Sequence, residues 1–148
     1  MAGSSRGMMR KLQANDFEVG YLEGWQDNSQ IVLIGVERPV FTPNLQIHRE
    51  SLPTVPLDEF FRAQRAELSE LDGFRLIEHG DRALSGTSAL YHGYSWILPD
   101  SGSLRVRQLQ IVTTQAGTLF TITCSALEQD WEQVESGFEL ALSGFAWR

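Results

Sequence analysis

Cysteine is nearly missing from this chain: Cys124 is the only one in 148 residues, so no internal disulfide can form. The three histidines (His48, His79, His92) stand far apart, and none falls in a ligand spacing such as His-x-x-x-His, so no metal site is expected. Long apolar runs are lacking as well. The longest purely aliphatic stretch is Ile31–Ile34, far short of the roughly 20 residues that span a bilayer. Positive charge is scarce: 12 Lys and Arg face 19 Asp and Glu, for a net charge of −7. Arg6, Arg10 and Lys11 sit in an opening stretch without any acid, so the body of the chain is more acidic still. A surface of that sign repels phosphate backbones and anionic lipid, which argues against nucleic acid and membrane surfaces as partners. The first eleven residues are small, polar and basic rather than apolar, from which neither a signal peptide nor a lipid anchor is expected. Taken together, these absences lead to the expectation of a cytoplasmic protein without membrane anchoring.

No Gly-rich loop joins a strand to a helix start, so no phosphate cradle and no cofactor are expected. Gly86-Thr87-Ser88 lacks the Gly-x-Ser-x-Gly spacing of a nucleophile turn and precedes a strand rather than a helix. Cys124 closes an apolar strand, where a structural thiol is the simpler reading. With no catalytic constellation in view, the expectation is that this is not an enzyme.

The remaining composition is that of a globular domain, 42% hydrophobic and 21% charged. A chain of this length hides roughly 70% of its unfolded surface on folding. No linker or repeat divides it, so residues 1–15 are read as a flexible N-terminal segment and residues 16–148 as one domain. Phe17–Leu22 is a strand candidate closed by Gly24 and the turn-like Gln26-Asp27-Asn28-Ser29. The β-branched Gln30–Val36 follows, and then Asn44–Glu50, where Leu45 and Ile47 alternate with Asn44, Gln46 and His48. Pro53 and Pro56 precede a helix over Leu57–Leu71, with Phe61 and Leu68 on its stripe and Asp58 and Glu59 in its first turn.

Four strands come next, over Phe74–Leu84, Ala89–Leu98, Leu104–Thr114 and Thr118–Cys124. Gly86, Asp100-Ser101-Gly102 and Gln115-Ala116-Gly117 lie at the turns between them. Ser125-Ala126-Leu127-Glu128 has capping-box spacing, which predicts a final helix with Trp131, Val134, Phe138 and Leu142 on its apolar stripe. The order βββ-α-ββββ-α predicts an α+β fold: an antiparallel six- to seven-stranded sheet with both helices on one face.

Uncharged polar residues recur on otherwise apolar elements. Gln64 interrupts the stripe of the first helix. One parity of Leu104–Thr114 reads Leu104, Val106, Gln108, Gln110, Val112, and the polar parity of Asn44–Glu50 reads Asn44, Gln46, His48. An ordinary solvated sheet face would carry Lys, Glu and Arg instead. Amides mixed with aliphatics suit a partner that is apolar yet needs hydrogen bonds, such as a hydrophobic helix. Periodicity leaves open whether Tyr94 and Trp96 face the core or this wall.

Trp25-Gln26-Asp27-Asn28-Ser29, Leu45-Gln46-Ile47-His48-Arg49, Leu71-Asp72-Gly73-Phe74 and Arg107-Gln108 occur in the order seen in the DcrB-like family. Over roughly Phe17 to Phe145 the chain resembles one branch of it, the Eag chaperones of bacterial type VI secretion. Gly20 and the longer Tyr21–Gly24 connection depart from that pattern. The resemblance implies a PsbP-like fold and a homodimer. It also implies a role in holding the hydrophobic N-terminal helices of a secreted PAAR- or Rhs-containing effector before export. By position it places Gln30, Val32, Asn44, Gln46, His48, Gln64 and Gln108 along the client groove, and the parity pattern adds Val106 and Gln110. An adaptor that docks a folded soluble partner, or a small lipid or ligand carrier, are the alternatives.

Overall fold

The computed structural model describes residues 9–13, 17–22, 26–28, 32–34 and 41–147, the first four stretches by their backbone alone. Strands β1 (Met9–Gln13), β2 (Phe17–Leu22), β3 (Gln26–Asn28), β4 (Val32–Ile34) and β5 (Asn44–Ser51) lead into helix α1 (Leu57–Leu68). Strands β6 (Arg75–Leu84), β7 (Thr87–Ile97), β8 (Arg105–Gln115) and β9 (Thr118–Leu127) follow. A 3-10 turn (Glu128–Asp130), helix α2 (Trp131–Ser143) and a short β10 (Ala146–Trp147) complete the described residues.

The seven-stranded antiparallel sheet has the order β3-β4-β5-β9-β8-β7-β6, and β1-β2-β10 form a smaller three-stranded sheet. The α+β class and the seven-stranded sheet agree with the reading of the sequence. Ser85-Gly86 and Ala116-Gly117 all adopt positive φ, the backbone of two-residue hairpin turns whose twist matches that of the strands they join.

Three details differ from expectation. Met9–Gln13, assigned to the leading segment, is a strand paired with β2, and Gln26–Asn28, read as a turn, is a strand paired with β4. Ser125 does not cap a helix. Strand β9 runs on through Leu127 because Ala126 and Leu127 pair with Arg107 and Val106, and α2 starts only at Trp131.

The helices also lie on opposite faces of the sheet. Trp131, Val134, Phe138 and Leu142 of α2 pack on Leu109, Ile111, Phe120, Ile122 and Cys124. Phe61 of α1 packs on Val112 and Leu119, flanked by Leu57, Phe60 and Leu90. The physical reason is in β8, where successive residues project to opposite sides and both parities are apolar: Leu109 and Ile111 on one, Val106 and Val112 on the other. A sheet centre that is apolar on both sides needs cover on both.

Candidate functional site

Strand register assembles the expected wall on the α1 side of the sheet. Gln108 lies opposite Ser125 and Gln110 opposite Thr123. Asn44 faces Ser125 from the other flank of β9, Gln46 faces Thr123 and His48 faces Thr121. Val32 is in register with Gln46, which places its backbone on the same row; Gln30 lies outside the described residues. Gln64 reaches the wall from α1, where it lines a depression of about 310 Å³ with Glu67, Leu68, Leu71 and Gln110.

Helix α1 covers the wall at one end. Phe61 stacks on His92 with centroids 3.9 Å apart and the rings 10° from parallel. The Arg65 Nε–H donates to His92 Nδ1 at 3.2 Å, so the imidazole proton resides on Nε2 and is donated to Gln110 Oε1 at 2.9 Å. Gln110 Nε2 in turn donates to Thr123 Oγ1 at 3.3 Å. A polar chain therefore runs from α1 across β7 and β8 to β9. Burial pushes the His92 imidazole down to about 4. Arg65 and His79 act in the same direction, and the hydrogen bond to Gln110 opposes them.

Tyr94 belongs to the core beneath this end. It is buried, lies 5.7 Å from Phe74 and 5.4 Å from His92 by ring centroids, and its hydroxyl is pushed up by burial. Trp96 is half-buried, and its indole N–H donates to Gln108 Oε1 at 3.0 Å.

Two expectations about the wall need correction. Val106 is only 1% exposed and cannot line an open groove; it lies in register between Trp96 and Leu127 on the covered part of the sheet. The two glutamine amides of β8 are not waiting for a client either. Gln108 accepts from Trp96 and donates to Ser125 Oγ at 2.9 Å, while Gln110 joins His92 to Thr123. A half-buried amide takes such partners because leaving its groups unpaired costs more than the bond itself returns.

What stays open is the β5 and β9 part. Gln46 and His48 are exposed; Asn44, Thr121 and Thr123 are half-buried. Gln46 Nε2 donates to Asn44 Oδ1 at 3.3 Å, and Asn44 Nδ2 donates to the Thr42 carbonyl at 3.1 Å, both bonds that an incoming group can replace. The one charge on this row is Glu50 at its end, 3.2 Å from His48 Nε2.

On the opposite face, a cleft of about 240 Å³ is lined by charged groups that the sequence presents as ordinary surface. Arg107 lies over the Trp131 ring at 4.8 Å, with Glu78 3.9 Å from its guanidinium. The alternation of β8 sets Arg107 on the face opposite the amide row but does not signal its partner, which comes from a helix 24 residues later in the chain. Cys124 is fully buried under α2, and burial raises its thiol well beyond the usual range. Among the described residues, no three His, Cys, Asp or Glu side chains gather as a metal-binding group.

No family profile and no curated protein matches this chain. Solved structures do. The PsbP protein of the cyanobacterium Synechocystis superposes with a TM-score of 0.67 at 20% identity, covering 100% of this chain and 97% of that one. The fold is PsbP-like. LpqN of Mycobacterium tuberculosis, described as involved in cell envelope biogenesis, matches at TM-score 0.66 and 14% identity over 99% and 96% of the two chains. Mog1p of Saccharomyces cerevisiae, described as a Ran-binding protein, matches at TM-score 0.61 and 11% identity over 93% and 94%.

These likenesses overturn the cytoplasmic expectation. A PsbP-like fold is shared with a protein of cell envelope biogenesis, so an acidic body and a polar opening stretch do not fix the compartment.

Proposed function

We propose that this protein is a docking module without a reaction of its own, an adaptor that receives a partner protein on the open part of the sheet beside α1. The observation that carries this reading is the composition of that surface. Asn44, Gln46, His48, Thr121 and Thr123 form a row of amides, hydroxyls and one imidazole, with Glu50 as its single charge, on a chain whose net charge is −7. Burying such a surface costs little desolvation compared with charged side chains, and its donors and acceptors give an incoming backbone specific bonds. The scaffold has a precedent for the role, since Mog1p shares the fold and is described as Ran-binding. The likeness to LpqN favours the cell envelope as the setting.

A photo-crosslinking residue at position 46 tests the reading in the native host, with one at exposed Glu135 on the α2 side as control. Docking on the wall predicts a defined adduct from position 46 that is lost with Thr123→Asp, and none from position 135. Equal labelling from both positions, or an adduct indifferent to Thr123→Asp, overturns it.

A finer reading of the same face follows from the resemblance to Eag chaperones: the partner segment is a hydrophobic helix of a type VI secretion effector. The observation that favours it is that Leu68 of α1 and Leu71 of the turn after it flank the wall next to Gln64, whose Oε1 is buried without a partner. A helix carrying Gly, Ser or Thr could lie along that flank, its aliphatic side chains on the leucines and its small polar groups against the amides. Co-expression with the apolar N-terminal fragment of such an effector separates the two readings. A helix client stays soluble only with this protein and is released by mild detergent, whereas a folded partner is indifferent to detergent. A fragment equally soluble alone removes the finer reading and leaves the adaptor.

A further inference from the structure

Four arginines are half-buried among the described residues, and three of them face a glutamate. Arg82 meets Glu139 at 3.0 Å, Arg105 meets Glu128 at 3.5 Å and Arg107 meets Glu78 at 3.9 Å. Arg65 has no carboxylate partner among the described residues. Its Nε–H goes to the neutral His92 ring, and the charge that acts on it is another cation, Arg62. Burial and Arg62 both weaken its hold on the proton. A guanidinium drawn out of water without a counter-charge is costly, and such groups are paired as a rule.

The same guanidinium is held from two sides. The bond to His92 ties it to β7, and its central carbon lies 5.7 Å from the Phe61 ring centroid. Its two Nη groups have no hydrogen-bond partner among the described residues, so the outer edge of the fork is free. Arg65 lines a pocket of about 330 Å³ between α1 and β6, with Phe61 and Leu90 as apolar lining and Asp58, Arg62 and Asp81 as the other charges. A fork already fixed in place loses little freedom when it takes a planar acid.

The charges decide which acid. Asp58 lies 3.9 Å from Arg62, and Asp81 is exposed. Two aspartates thus balance two arginines, which leaves no surplus positive charge for a phosphate dianion. A carboxylate brings one charge and matches the fork of a single guanidinium. Phe61 and Leu90 offer surface to the group that carries it.

We infer that the pocket between α1 and β6 binds a carboxylate carried on an apolar group, its oxygens on the free edge of the Arg65 guanidinium and its body against Phe61 and Leu90. That chemistry belongs to a free hydrophobic acid or to a polypeptide C-terminus with an apolar last residue. The pocket lies on the flank of α1 away from the docking wall: Asp58, Arg62 and Arg65 border it, whereas Gln64 and Leu68 border the depression at Gln110. Neither proposal depends on the other.

NMR titration of the full chain with N-acetyl-leucine tests the pocket. Saturable shifts are expected at the Arg65 Nε–H and Leu90 methyl signals, with a Kd of about 1 mM for a ligand of this size. The Trp131 indole N–H, on the other face of the sheet, should not respond. N-acetyl-leucinamide, which lacks the charge, and inorganic phosphate should each bind at least about tenfold more weakly. Arg65→Gln should abolish the shifts, but it also removes the bond to His92. Asp81→Asn is therefore the second variant. It takes a repelling charge from an exposed position and should tighten N-acetyl-leucine binding about two- to fivefold, a gain that a damaged fold cannot produce. A short peptide ending in a free leucine that binds about tenfold more tightly than N-acetyl-leucine assigns the carboxylate to a chain end, and equal binding assigns it to a free acid. Absence of saturable shifts up to about 20 mM overturns the proposal. So does equal binding of the amide or of phosphate, or an Asp81→Asn protein that binds no more tightly.

Discussion

Replacing His92 with phenylalanine keeps a ring against Phe61 and removes a buried imidazole that burial holds neutral. At pH 7 the substitution leaves Arg65 Nε and Gln110 Oε1 without their partners, at a cost of about 1–3 kcal/mol. Acid changes the balance. His92 is held at about 4 in the folded protein against an ordinary value of 6.5, so the unfolded chain takes up a proton first as the pH falls. Stability that is fully present above about pH 6.5 is lost as the pH falls toward 4. The size follows from about 1.4 kcal/mol for each tenfold difference in proton affinity between the folded and unfolded chains: roughly 2 kcal/mol is gone by pH 5 and roughly 3 by pH 4.

The phenylalanine protein lacks this loss, while every carboxylate titrates alike in both proteins and cancels in the difference. Urea unfolding at pH 7, 5.5 and 4 should therefore show the wild type ahead at neutrality, with its lead shrinking to zero or reversing in acid. Amide exchange should show α1 loosening before β8 and β9, because the protonated ring can no longer accept from Arg65. A wild-type lead that stays constant to within about 1 kcal/mol across that range would refute the buried, neutral imidazole.

Two further expectations follow from the same hydrogen bonds and burial. Gln108→Leu strands the Trp96 indole N–H and the Ser125 hydroxyl and should cost about 1–3 kcal/mol in urea unfolding, whereas Gln46→Leu on the exposed row should stay within about 0.5; equal effects would mean that the two amides do not differ in role. Cys124, fully buried with its thiol raised by that burial, should resist thiol reagents at pH 8 until the protein unfolds. Rapid labelling in native buffer would contradict that placement.

Much of the fold is legible in the residues alone. The helical stripe read over Leu57–Leu71, which forms a helix as far as Leu68, the stripe of Trp131–Ser143, the turn residues at Gly86 and Gly117, and the alternation in β5 and β8 are local signals, and each gave an element of the expected type. The misreadings have a common origin in partners far along the chain. Ser125 begins a motif that would cap a helix in isolation, yet Ala126 and Leu127 pair with β8, and Gln108 claims the serine hydroxyl. Met9–Gln13 has little apolar character of its own, and its place in a sheet comes from pairing with β2.

Alternation along one strand is a property of the chain: it puts Asn44, Gln46 and His48 on one side, and Gln108 and Gln110 on one side, whether or not their strands share a sheet. Whether those sides coincide depends on register with β9, and whether an amide stays free depends on what stands opposite it. For Gln108 and Gln110 the neighbours are Trp96, Ser125, His92 and Thr123, so these amides knit the sheet together, while Gln46 and His48 remain open to a partner. Side-chain direction follows from backbone chemistry residue by residue, but hydrogen-bond satisfaction is a property of pairs, and pairs between distant segments exist only once the chain has closed on itself.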